Sequence, residues 1–117
     1  MNSGNGERFA DLQLHSSASD GSDPPSEVVR RAAKKGFAAI ALTDHDTMAG
    51  VPQAASEAAT LGVELIPACE LSTLDENERQ IDMLAYGVSP DDATFGAMLS
   101  IVRSGRLGRA FAMVQRL

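Results

Sequence analysis

The sequence predicts an α/β protein with a largely parallel sheet. Three observations lead there. The segments run in the order strand, helix, strand, helix, strand, strand, helix. The unbroken apolar run Phe37 to Leu42 has the length and pattern of a strand buried on both faces. The His, Asp and Glu residues collect where strands end, the position at which parallel sheets and barrels carry functional groups.

The first strand is Asp11 to His15. Alternation puts Leu12 and Leu14 on one face, and Asp11, Gln13 and His15 on the other. A Ser/Asp/Gly loop through Gly21 then brings Asp20 back near the strand end. Asp23-Pro24-Pro25-Ser26-Glu27 announces a helix: Asp23 can cap it, proline suits the first turn, and Glu27 favours the positive end of the dipole. From Ser26 to Lys35 the helix places Val28, Val29, Ala32 and Ala33 on one side and its basic residues elsewhere. Gly36 stops it.

After the apolar strand comes Thr43-Asp44-His45-Asp46-Thr47. A second helix, Val51 to Leu61, is rich in alanine and closed by Gly62. Val63 to Pro67 reads as a third strand with Glu70 beyond its end. Asp75 to Arg79 is a solvated turn, and Gln80 to Tyr86 a fourth strand with Asp82 on the face opposite Ile81 and Met83. Ser89 to Asp92 opens a last helical region, Ala93 to Leu117, which glycines 105 and 108 weaken near Ser104 to Gly108.

At 117 residues the chain is of single-domain size, and no internal repeat, low-complexity tract or linker divides it. Aromatic residues make up only 4% and tryptophan is absent, so the core must be built from small aliphatics. A net charge of −6 argues against general nucleic-acid binding, where a basic face supplies most of the affinity. The single cysteine, Cys69, precludes an intrachain disulfide and fits a cytoplasmic location. No apolar run has membrane length, so no membrane partner is expected.

Both histidines, His15 and His45, fall at strand ends beside carboxylates. Imidazole with carboxylate suits Zn, Mn or Fe, and oxygen-rich positions suit Mn or Mg. Asp20 is either a turn residue or a ligand. Asp44 and Asp46 include at most one ligand and otherwise orient His45 or cap the next helix. Cys69 reads as a buried small residue, and the Arg103, Arg106, Arg109 spacing as a solvated helix face. No phosphate-cradling glycine loop or Ser-based triad stands out.

At Asp11 to Gly21, Thr43 to Thr47, Ala68 to Ser72 and Ile81 to Gly87 the sequence resembles the PHP (polymerase and histidinol phosphatase) family. The likeness is to its small phosphoesterases that act on nucleotide-type phosphates. Ile101 to Arg109 also looks like the helix preceding that subgroup's inserted segment. The resemblance implies the N-terminal part of a distorted seven-stranded, TIM-like β/α barrel, with residues 1–8 a frayed lead-in and 9–117 a partial domain. It implies hydrolysis of phosphate monoesters by a metal-activated water. His15 and Glu70 would bind one divalent metal and Asp20 and His45 a second, with Glu70 bridging, and Glu70, His45 and Asp20 would carry the catalysis.

Two positions depart from the pattern. Gln13 stands where the family's first His belongs, and Asp82 where a third-metal His is expected; both remain candidate ligands, Asp82 favouring Mg or Mn. The family's remaining ligands lie beyond the region of likeness. The expectation is therefore a small phosphorylated substrate, with the rest of the barrel, or a second copy of the chain, as partner. The rival expectation is a noncatalytic remnant that serves as a structural or interaction module.

Overall fold

The computed structural model describes residues 8–104. The expected frayed lead-in, apart from Arg8, and the helical continuation past Ser104 lie outside them. The elements are β1 (Ala10–Leu14), α1 (Pro25–Lys34), β2 (Ala39–Leu42), α2 (Val51–Leu61), β3 (Glu64–Leu74), β4 (Gln80–Tyr86) and α3 (Ala93–Arg103). The strands form one sheet in the order β1-β2-β3-β4. β1 with β2 and β2 with β3 are parallel, whereas β3 with β4 is antiparallel. The sheet curls like part of a barrel, and the Tyr86 hydroxyl on one outer strand donates to the Leu12 carbonyl on the other at 2.7 Å.

Helix positions follow local rules. On α1 the buried residues are Pro25, Val28, Val29 and Ala32, and the basic residues stay outside. Asp23 does not cap α1; its carboxylate pairs with Arg31 at 3.1 Å, leaving Pro24 at the cap position. Gly62 closes α2 in the left-handed conformation, φ 71°, and α3 begins at Asp92, whose side chain accepts from the Phe95 amide. The core joins Val28, Val29 and Ala32 to Ile40, Leu42, Val51, Ala54, Ala58, Cys69 and Leu99. A fully buried branched side chain such as Ile40 contributes about 1.5–3 kcal/mol, so these few outweigh the alanines around them.

Two strands differ from the sequence-based expectation. β1 carries a bulge: Asp11 pairs with Ile40 and Leu14 with Leu42, so three steps on β1 match two on β2. Asp11 and Leu14 consequently line the same cleft beneath α1, and strict alternation fails, with Leu12 46% exposed. β3 runs on to Leu74 instead of ending at Pro67, because antiparallel pairing with β4 extends from Ala68↔Tyr86 to Leu74↔Gln80. Glu70 is thus inside a strand. The turn Asp75 to Arg79 is as expected, with the Asp75 carboxylate accepting from the Asn77 and Arg79 amides.

Cys69 is fully buried and burial pushes its thiol up to about 11. Native protein at about pH 8 should therefore resist a thiol-specific reagent that labels it at once in denaturant. Rapid labelling of the folded chain would contradict this burial. Among the described residues no helix is long and apolar enough to cross a membrane.

Candidate metal centre

The end of β1, the middle of β3 and the loop after β2 converge on one group of side chains. Parallel pairing of the first three strands brings the C-terminal ends of β1 and β2 level with the part of β3 just past Pro67. The loop after β2 is then stitched to β3. The Glu70 amide donates to the Asp44 carbonyl and the Asp46 amide to the Glu70 carbonyl, both at 3.0 Å. His45 is held between these bonds, opposite Glu70.

The result is a closed ring of alternating acids and imidazoles. His15 Nε2 lies 2.9 Å from Glu70 Oε1 and His15 Nδ1 2.7 Å from Asp20 Oδ1. His45 Nε2 lies 3.2 Å from Asp20 Oδ2 and His45 Nδ1 3.8 Å from Glu70 Oε2. The two rings stand edge to face with centroids 4.5 Å apart. Glu70 is only 5% exposed, whereas the Asp20 side chain, at 62%, forms the outer rim.

A neutral imidazole has one N–H, yet each ring here has a carboxylate at both nitrogens. With both rings neutral the two carboxylates are uncompensated, and either protons on the rings or a bound cation offsets their charge. Ligand atoms of His15, His45 and Glu70 all lie within 4.8 Å of one another, a spacing that can hold a metal ion.

The other predicted residues divide. Gln13 reaches the ring, but as a donor: its Nε2 lies 3.1 Å from Glu70 Oε1. Asp82 pairs opposite Ser72, so it shares Glu70's side of the sheet. It is exposed, accepts from Gln80 at 3.3 Å and is outside the His15, His45 and Glu70 group.

Asp44 and Asp46 do not orient His45 through their side chains or cap α2. Asp44 is buried and accepts from the Ser16 amide, the Ser16 hydroxyl and the Ser19 hydroxyl at 2.6, 2.7 and 2.9 Å. It thereby fixes the loop that presents Asp20. Asp46, at φ 55°, accepts from the amide and hydroxyl of Ser72. Sequence reasoning missed both anchoring roles, although serines at 16, 19 and 72 were available as donors. Arg103 donates to the Asp46 carbonyl at 2.8 Å instead of serving only a solvated face, and Arg106 and Arg109 lie outside the described residues.

The Ser16–Gly21 turn is tight. The amides of Ser19 and Gly21 both donate to the Ser16 carbonyl. A Cβ on Gly21 would lie 2.5 Å from the His15 carbonyl oxygen, so only glycine fits.

Charge shapes the titration. Burial, the largest single influence, pulls His15 down, but hydrogen bonds and charge from Asp20 and Glu70 together raise it above 6.5. The His15 hydrogen bond, foremost, holds Asp20 below the ordinary carboxylate range. For His15 the proton is bound more tightly in the folded state. Its contribution to metal-free stability is complete below 6.5 and is lost as pH rises through the raised folded value. Metal competes for the same nitrogens, so Mn²⁺ affinity should climb with pH through that window. Titrations at about pH 6, 7 and 8 check this; a flat response would contradict it.

The family profile described as "PHP domain" matches residues 11–104. A 3',5'-nucleoside bisphosphate phosphatase of Chromobacterium violaceum is 38% identical over 103 residues, covering 88% of this chain and 36% of that protein. A phosphoribosyl 1,2-cyclic phosphate 1,2-diphosphodiesterase of Eggerthella lenta is 33% identical over 108 residues, covering 92% of this chain and 41% of its own length. A Bifidobacterium adolescentis crystal structure, assigned as a metal-dependent phosphoesterase, superposes with a TM-score of 0.78 at 31% identity, covering 93% of this chain and 38% of that one. The chain thus spans roughly two fifths or less of the relatives it matches.

Proposed function

Since this chain belongs to the PHP domain family, we propose that it contributes metal-binding side chains from one edge of its parallel strands to a phosphoesterase acting on small, nucleotide-type phosphate esters. The observation that carries this is the ring of Glu70, His15, Asp20 and His45, whose donor set fits a divalent cation. Mn, Zn, Mg and Fe all accept such ligands to different degrees. Bound there, a divalent ion supplies Lewis acidity and charge neutralisation for phosphoryl transfer to water.

The chain's own residues have separable tasks. Glu70, buried and facing both rings, would hold charge at the centre. Asp20 stays ionised and turns both imidazoles inward from the rim. His15 and His45 complete the cage. Gln13 donates to Glu70 and trims its negative charge, a weaker contribution than an imidazole ligand would make. Asp82 joins the site only if further structure brings a cation to its side of β4.

The four strands are, on this proposal, the opening part of a seven-stranded barrel that further sequence or a second copy completes. A cytoplasmic setting suits the buried lone thiol. Two of the relatives named above carry names that specify small ribose phosphates, and the net charge of −6 likewise favours a phosphorylated nucleotide over a long nucleic acid.

The test loads the chain, and a C-terminally extended form, with Mn²⁺ and then measures metal content and phosphate release from adenosine 3',5'-bisphosphate. Metal should bind both forms, at fewer than three ions per short chain, with turnover confined to the extended form. Failure of both forms to retain Mn²⁺ or Zn²⁺ would refute the proposal. That outcome would favour a noncatalytic module, the reading to which the neutral Gln13 side chain lends weight.

A further inference from the structure

Asp46 is where three elements meet beside the centre. Its amide donates to the Glu70 carbonyl at 3.0 Å, and its carboxylate accepts from Ser72 N and Oγ at 2.8 and 2.7 Å. Its carbonyl accepts from Arg103 Nη1 at 2.8 Å. The residue does this in the left-handed region, φ 55°, which an Asp side chain tolerates when local hydrogen bonds hold it. Arg103 comes from the last turn of α3; Leu99 of that helix shares the buried core with Met48 of the loop after His45, and Phe95 packs against that core.

We infer that Arg103 is a positioning residue of the metal centre, fixing His45 through the Asp46 carbonyl and so coupling α3 to the ring of ligands. The inference rests on the metal-site reading above. The guanidinium touches no ligand. Its bond fixes the Asp46–Thr47 peptide, while the adjoining His45–Asp46 peptide is tied to β3 through the Asp46 amide. Without it, the left-handed turn loses one of its restraints and Asp46, next to His45, is held from β3 alone. Partners bonded directly to a ligand typically change metal affinity 10–100-fold, and a restraint one residue removed belongs at the low end of that range.

The test compares Mn²⁺ binding, with no substrate, for the wild type, Arg103→Ala, Arg103→Lys and the control Arg30→Ala, which loses only surface pairs with Glu27 and Glu57. Arg103→Ala should weaken Mn²⁺ about tenfold, Arg103→Lys should recover part of the loss, and Arg30→Ala should match the wild type. In the metal-free protein, amide exchange at Ser72 should accelerate in Arg103→Ala while Ile40, in the core, stays protected. That local readout separates positioning from loss of fold. Unchanged Mn²⁺ affinity in Arg103→Ala, or parallel loss of protection at Ser72 and Ile40, overturns the inference and leaves the metal centre standing. A wild type that does not bind Mn²⁺ overturns both.

Discussion

Replacing Glu70 with glutamine is expected to weaken Mn²⁺ or Zn²⁺ binding by at least about 100-fold while leaving the fold intact. Loss of outer partners alone costs 10–100-fold, and Glu70 stands inside the ring. Its two oxygens face different imidazoles, at 2.9 Å for His15 and 3.8 Å for His45. Glutamine keeps the size and one acceptor but removes the charge, and its NH₂ group turns a donor towards a ring that already has donors. The neutral variant sheds a desolvated charge but also loses the Glu70 contribution that raises His15. Metal-free stability should therefore fall at low pH and hold at pH above the raised His15 value. Calorimetric titration with thermal unfolding measures both quantities. An affinity within threefold of wild type would remove Glu70 from the centre.

Asp44→Ala should instead unfold the protein far more readily while removing no atom of the ring. Asp44 is 1% exposed and accepts three hydrogen bonds. Truncation leaves the Ser16 amide, itself fully buried, without its acceptor and strips two hydroxyls of theirs. Each buried group left unpaired costs about 1–3 kcal/mol, so the total should reach about 3 kcal/mol or more. For a domain of this size that lowers Tm by at least about 12 °C. Denaturant melts give the free energy directly, and a loss under about 1 kcal/mol would show that water replaces the carboxylate. Metal binding should fall as well, through disorder of the loop that carries Asp20.

Local chemistry made much of this legible. The bounds of α2, the two-sided burial of β2, and the gathering of His15, His45 and Glu70 at one edge follow from periodicity, glycine stops and parallel topology. What was hidden depended on partners distant in sequence. β3 runs through Glu70 because β4 pairs with it, and no pattern within Val63 to Pro67 announces that. A bulge in β1 shows only against the register of β2. Asp23, Asp44 and Asp46 are all chemically able to cap a helix, and each chose other donors once the chain had folded around it: Arg31, the Ser16 loop and Ser72.

The tightness of the turn at Gly21 bears on how mutational surveys of this chain should be interpreted. An added methyl there would collide with the main chain at His15 and push that imidazole out of place, though position 21 has no side chain to offer any ion. Alanine scanning would score it among the most sensitive sites and so rank a spacer alongside true ligands. Only a spectroscopic probe of the histidine rings would tell the two apart.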